Sequence, residues 1–289
     1  MNPEWSVQKT EKQETKINIG EIYFDKGLED VFDKEEFLSE VQKISKEIEE
    51  YLGKNKNSAV YDFRIYSDRK EYEEYFKANF PEKYENFMEN DMVFYYDEKN
   101  NKNIIAKFMK RTTLDPNDSR VKEYLEKEKI IFSELESQSR QNYKSNIYPT
   151  IAHELMHSHS FFRGVDYRVP GNKWAQEMVC VFVDQKMWER YIPNFRKIIE
   201  VKAREQVQNK DLHNEIINDF KEGDFQIEDW ERLFYQFLES RYGKEKLINF
   251  WNVLSESKYR DNFEKCFEII FEEKLKDAAS LFQREIVED

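Results

Sequence analysis

Cysteine is scarce, with two residues, Cys180 and Cys266, in a chain of 289. That is too few for a disulfide framework and says nothing about the compartment. Long apolar runs are absent, which argues against a membrane-spanning helix. Residues 1–20 are polar and charged and carry no apolar export signal. Taken literally this points to the cytoplasm, and a chain exported with its signal already removed would read the same. Basic residues are outnumbered: 46 Lys and Arg against 59 Asp and Glu give a formal net charge of −13. Because the two signs are interleaved and not blocked, neither nucleic acid nor an anionic membrane is expected as the main partner. No internal repeat and no low-complexity linker divides the chain, and the sequence leaves the oligomeric state open. Its length suits one or two domains with a sizeable core.

Histidine is rarer than glycine or proline, with four residues, yet two of them fall in His153-Glu154-Leu155-Met156-His157. This is the HExxH pattern. Residues i and i+4 of an α-helix project from one face about 6 Å apart, so both imidazoles can reach one metal ion while Glu154 leans over the adjacent position. Two neutral imidazoles and one further protein ligand suit a single Zn²⁺ and leave one tetrahedral position open, as catalysis requires. Zinc would bring the pKa of a water there down to about 7, with Glu154 as general base and then acid. The expected chemistry is hydrolysis of peptide bonds without a covalent intermediate, on a peptide or protein substrate. Pro149 suits a first helical turn and Gly164 an end, so 149–163 is expected as one helix, flanked by Ile151, Leu155, Met156 and Phe162.

The third ligand is not in the longer HExxHxxGxxH pattern, because its last two positions hold Ser160 and Arg163. Glu177 is the leading candidate. It lies in the apolar helical stretch Trp174-Ala175-Gln176-Glu177-Met178-Val179, which a Gly- and Pro-containing loop, 164–171, separates from the motif. An antiparallel return would bring Glu177 beside the zinc. Asp184, Asp166 and His159 are the other candidates for that place, and Asp184 could instead support a histidine from behind. Cys180 reads as a small core residue.

These residues resemble the gluzincins, and within them the peptidase MA-like domains that pair HExxH with a downstream W-x-x-E helix. Trp174-Ala175-Gln176-Glu177 is similar to that element. The segment 234–247, from Phe234 through Arg241-Tyr242-Gly243 to Leu247, resembles the family's fvxyLxxrYGxekL signature, and 261–275 resembles the helices that follow it. The likeness covers 145–289. It implies a zinc metallopeptidase with a zincin-like fold, an active site in a cleft between lobes, and an N-terminal sheet whose edge strand pairs with an extended peptide. The strand at 103–109 is the expected edge. The family's oxyanion-steadying tyrosine has no counterpart at 227–230, and Tyr235 is the nearest substitute. Val181 stands where a carboxylate often follows the ligand glutamate. These two departures motivate the alternative: a gluzincin-fold binding or regulatory protein that has kept the metal motif without peptidase activity.

The fold class expected is α+β, with a small mixed α/β lobe that includes a hairpin sheet, followed by a mainly helical lobe. Residues 1–16 read as a mobile tail, 17–145 as the α/β lobe and 146–289 as the helical catalytic lobe. Helical periodicity covers 32–52, ending at Gly53, and 68–79, stopped before Pro81. Residues 59–66 alternate as a strand, and 92–96 with 103–109 form a hairpin. The stretch 121–143 reads as an exposed helix leading into the motif, and Gly223 and Gly243 mark breaks in the helices beyond.

Overall fold

A computed structural model of the chain describes residues 17–56, 58–88, 91–110, 117, 119–129, 131–159, 170–222, 228–254 and 262–288. The expected tail, 1–16, lies outside them, as do Asp166, Gly164 and Gly223. The architecture is mixed α+β and mostly helical, with one four-stranded sheet among the described residues.

The strands are β1 (Ile19–Phe24), β2 (Val60–Tyr66), β3 (Met92–Asp97) and β4 (Lys102–Phe108). Their order is β1-β2-β4-β3, with β1 and β4 parallel to β2 and β3 antiparallel to β4. Period-two alternation gives the sheet two buried faces. Tyr61, Phe63 and Ile65 of β2 face the main core, where they meet α1 (Lys34–Leu52) through Phe37, Val41, Ile44 and Ile48. Tyr66, Val93 and Ala106 face the other way, against Tyr72 and Phe76 of α2 (Arg69–Asn79). The sheet is therefore the middle of three layers.

Local signals set the helix ends as anticipated. Asp33 accepts the Glu36 N–H at 2.8 Å and Asp68 accepts the Lys70 N–H at 2.8 Å. Gly53 closes α1 with φ 91°, a conformation that only glycine adopts without strain. The short α3 (Tyr84–Met88) leads to the hairpin. That hairpin corrects one expectation: β4 is held on both sides, by β2 and β3, so the edges of the sheet are β1 and β3 and not 103–109. A crossover from β2 through α2 and α3 lets β3 land outside β4, which no short-range pattern reveals.

The strand β1 has no clear sequence signal, since Ile-Gly-Glu-Ile-Tyr-Phe does not alternate and its register slips between Ile19 and Ile22. Gly20 explains its course. A Cβ there would stand 2.4 Å from Asp62 Oδ1, the carboxylate that accepts the Glu21 N–H at 2.9 Å and pairs with Lys102 at 2.8 Å.

The helices continue as α4 (Ser119–Glu128), α5 (Phe132–His157) and α6 (Pro170–Tyr191). The expected single helix across 121–143 is thus two, broken at Lys129, which takes φ 55°. The expected start at Pro149 is also corrected, because Pro149 lies inside α5. The turn around it is reinforced by side chains: Asn146 Nδ2 donates to Asn142 O and Thr150 Oγ1 to Asn146 O, both at 2.7 Å. The helix ends at His157, with Ser158 as its cap, and the expected end at Arg163 lies outside the described residues. Six further helices follow among the described residues: α7 (Phe195–Val207), α8 (Leu212–Glu222), α9 (Asp229–Tyr242), α10 (Lys244–Leu254), α11 (Phe263–Phe271) and α12 (Leu275–Glu288). Gly243, at φ 87°, makes the expected break between α9 and α10.

One buried cluster runs from Phe24, Phe37 and Phe63 through Ile151 and Leu155 to Trp174, Phe182, Tyr235 and Phe267. The expected lobe boundary at 145 falls inside α5 and inside this continuous core. No helix among the described residues is long and apolar enough to cross a membrane.

Gly20→Ala is expected to destabilise the protein by about 1–3 kcal/mol, the range for forcing atoms into filled space. Urea unfolding measures it, and hydrogen exchange should speed up first in β1, whose docking the new methyl group displaces.

Candidate metal centre

α5 and α6 pack antiparallel. Ser145 Oγ donates to Tyr191 O at 3.0 Å, His153 meets Asp184, and His157 meets Glu177, so the paired residue numbers rise on one helix as they fall on the other. Trp174 anchors the near end of α6. It is 1 % exposed and makes edge contacts with Phe220 and Phe263.

This seam brings three of the expected site atoms together. His153 Nε2 and His157 Nε2 are 3.1 Å apart, and Glu177 Oε2 lies 3.3 Å from the first and 3.6 Å from the second. A tetrahedral zinc with ligands at about 2.0–2.2 Å separates those ligands by about 3.3–3.6 Å. The triangle has the size such an ion requires. Behind it, His153 Nδ1 lies 3.2 Å from Asp184 Oδ2, and Asp184 Oδ1 accepts from Arg232 Nη1 of α9 at 2.7 Å. Asp184 thus holds the His153 ring with its Nε2 turned toward Glu177.

Cys180 offers a second donor set, since donor atoms of His153, His157 and Cys180 lie within 4.8 Å of one another. Its sulfur stands 3.7 Å from Nδ1 of His157, the ring nitrogen that does not face Glu177. Burial, reinforced by the charges of Glu177, Glu154 and Asp184, pushes the thiol well above its ordinary pKa. Metal ligation takes the thiolate. The geometry therefore favours His153, His157 and Glu177 as the ligand triangle, with the Cys180 sulfur as a hydrogen-bond partner of His157.

The protons follow from the same contacts. Burial pulls His153 down, but its hydrogen bonds to Asp184 and Glu177 outweigh this and raise it to about 10. Burial raises Glu177, and the hydrogen bonds from both histidines overcome that and hold it at about 2. Without metal, a proton on His153 offsets the carboxylates. Glu154, one turn from His157, is raised chiefly by burial, while His153, His157 and Lys107 of β4 pull the other way. Lys107 is lowered mainly by burial, against the charges of Asp91 and Glu154. The edge strand reaches the site as well: the Phe94 ring of β3 stacks on His157 with centroids 6.5 Å apart.

The remaining candidates lie elsewhere. His159 is 4 % exposed, and its Nε2 meets Gly53 O at 3.2 Å, so it fastens the end of α5 to the end of α1 and is no ligand. Ser158 adds a second fastening, its Oγ 2.7 Å from the Tyr61 hydroxyl. Tyr235 is buried among Trp174, Phe234 and Trp251, which removes it as an oxyanion donor. Lys107, Phe94 and Arg232 were not anticipated. Lys107 left a signal, a lysine on the same strand face as Asn103 and Ile105. Arg232 left none, being one of several charged residues of its helix. No protein family, curated protein or solved structure is matched by this chain.

Zinc binding is expected to weaken sharply in His157→Ala and Glu177→Ala, to fall about 10–100-fold in Asp184→Asn, and to stay near the parent value in Cys180→Ala. Competition with a chromogenic chelator reads all four, and the Cys180 variant separates the two donor sets. Because metal binding must displace the His153 proton, uptake at pH 7 to 8 is expected to release about one proton per ion, with affinity rising with pH up to about 10. Calorimetry in buffers of different ionisation enthalpy counts that proton.

Proposed function

We propose that the protein is a single-zinc metallopeptidase, with His153, His157 and Glu177 as metal ligands and Glu154 as general base and acid. The observation that carries this is the triangle of His153 Nε2, His157 Nε2 and Glu177 Oε2, whose edges of 3.1, 3.3 and 3.6 Å suit a tetrahedral ion. When bound, zinc supplies Lewis acidity to a water and to the substrate carbonyl.

The chain's own residues do the rest. Asp184 fixes the His153 tautomer by accepting from Nδ1, and Arg232 holds Asp184 in place. Glu154 takes a proton from the attacking water at its carboxylate and returns it to the nitrogen of the departing amine. Its raised pKa brings its proton affinity closer to neutral pH, where such transfer is most effective. The edge strand β3 is bonded to β4 on one side only in the sheet order, and Phe94 brings it against His157. An extended peptide that adds to β3 would pass the metal triangle. This arrangement supports a zincin-like reading, with the sheet as one wall of the cleft and α5 and α6 as its floor.

The alternative, a gluzincin-fold binding or regulatory protein that has kept the metal motif, rested partly on a missing outer carboxylate. Asp184 stands behind His153 from seven residues after Glu177, which supports the metal site that both readings share.

Glu154→Gln is expected to lower peptide-library cleavage by about 10²–10⁴-fold while leaving zinc content at one ion per chain. Mass spectrometry of a digested library together with elemental analysis reads both. Wild-type cleavage rates in that variant would overturn the mechanism, and zinc binding with no cleavage in the parent would favour the binding protein.

A further inference from the structure

The strand β4 runs back along α5. Its start is level with the end of the helix, where Tyr61, the register partner of Asn103, meets Ser158. Lys107 comes near enough to Glu154 for their charges to interact, and beyond the strand Lys110 O accepts from the Tyr143 hydroxyl at 3.5 Å. Between strand and helix lies an open groove of about 530 Å³, whose walls include Lys107, Lys110, Asn142, Asn146, Thr150 and Trp188. It lies beside the candidate centre, because Thr150 on its wall is one turn from Glu154 on α5.

Among the described residues no aspartate or glutamate lines this groove, in a chain where acidic residues outnumber basic ones by 59 to 46. Its polar side chains are mostly committed inward, Asn146 and Thr150 to the carbonyls of their own helix. Asp91, the nearest carboxylate on the strand side, is held by Arg69 at 2.8 Å. The ammonium groups of Lys107 and Lys110 form no hydrogen bond or ion pair among the described residues; Lys107 is half-buried, and the charges of Asp91 and Glu154 act on it. An ammonium in that position can also hold an anion that arrives with the substrate.

We propose that this groove is a substrate subsite for a carboxylate, with Lys107 as its inner contact and Lys110 as its outer one. This rests on the peptidase reading and names the substrate class it prefers. Lys107 pairs in register with Met92, two residues from Phe94, which stacks on His157. Two residues of extended chain span about 7 Å. The carboxylate therefore belongs within about two residues of the bond cleaved. It is either an acidic side chain or the terminal carboxylate of the peptide.

The test uses zinc-loaded protein and three matched fluorogenic peptides. One is an amidated peptide with glutamine near the scissile bond, one carries glutamate there, and one is the glutamine peptide with a free C-terminal carboxylate. The same peptides, end-labelled, are titrated by fluorescence anisotropy against zinc-loaded Glu154→Gln. One of the two carboxylate peptides is expected to exceed the amidated glutamine peptide by about tenfold or more in kcat/KM and in affinity. Which of them does so separates an acidic side chain from a chain terminus. The ratio should fall toward one in Lys107→Met, persist in Lys107→Arg and drop less in Lys110→Gln, which still decides the matter if Lys107→Met does not fold. Equal values for all three peptides, or a ratio indifferent to Lys107, would overturn the subsite. Absence of any cleavage would overturn the peptidase reading alone, because anisotropy still reports on the groove.

Discussion

The antiparallel contact of α5 on α6 is the constraint on which the rest of the structure depends. Apolar side chains supply most of it: Ile147, Tyr148, Ile151 and Leu155 from one helix, and Met178, Val179 and Phe182 from the other, all buried. Close to its far end the seam turns polar, and four groups with lone pairs or charge, His153, His157, Glu177 and Asp184, are enclosed together. Such a cluster is costly to bury unless a cation holds it together. A proton on His153 does so in the metal-free chain, and a divalent ion would do so with more charge and a fixed geometry. The same packing that stabilises the helices therefore creates a demand for positive charge at one point.

The end of the motif helix is held from outside the seam. Ser158 bonds to Tyr61 on the sheet, and His159 bonds to Gly53 at the end of α1. These two contacts fix the height of α5 against β2, and through the register of β2 with β4 they set which strand residues stand over Glu154. Lys107 and Phe94 reach the site for that reason, although nothing in their local sequence refers to it. The geometry of the candidate site is in this way tied to a tyrosine and a glycine that lie outside it.

The local features were legible in the sequence. The capped helix α1, the alternation of β2, the hairpin, the HExxH spacing and the place of Glu177 on an antiparallel return all follow from short-range rules. The parts that escaped depend on long-range choices. The edge position of β3 is set by a crossover, the strand β1 is accommodated by a glycine beside a carboxylate, and Pro149 lies inside a helix whose side chains reinforce the surrounding turn. Proline's preference for first turns is a local tendency, and tertiary packing of Tyr148 and Ile151 on either side of it overrides that tendency.

Glu154 stands where two opposite influences meet. Burial raises its pKa, and His153, His157 and Lys107 oppose the rise. A general base needs a proton affinity high enough to capture a proton and low enough to be ionised when substrate arrives. Metal would replace the proton on His153 with a stronger positive charge and so favour the ionised carboxylate. A substrate carboxylate beside Lys107 would act in the reverse direction, by neutralising a cation that opposes the rise. Occupation of the groove would then raise the proton affinity of Glu154 at the moment a water must be deprotonated. Substrate recognition and activation of the base are in that case coupled through a single lysine.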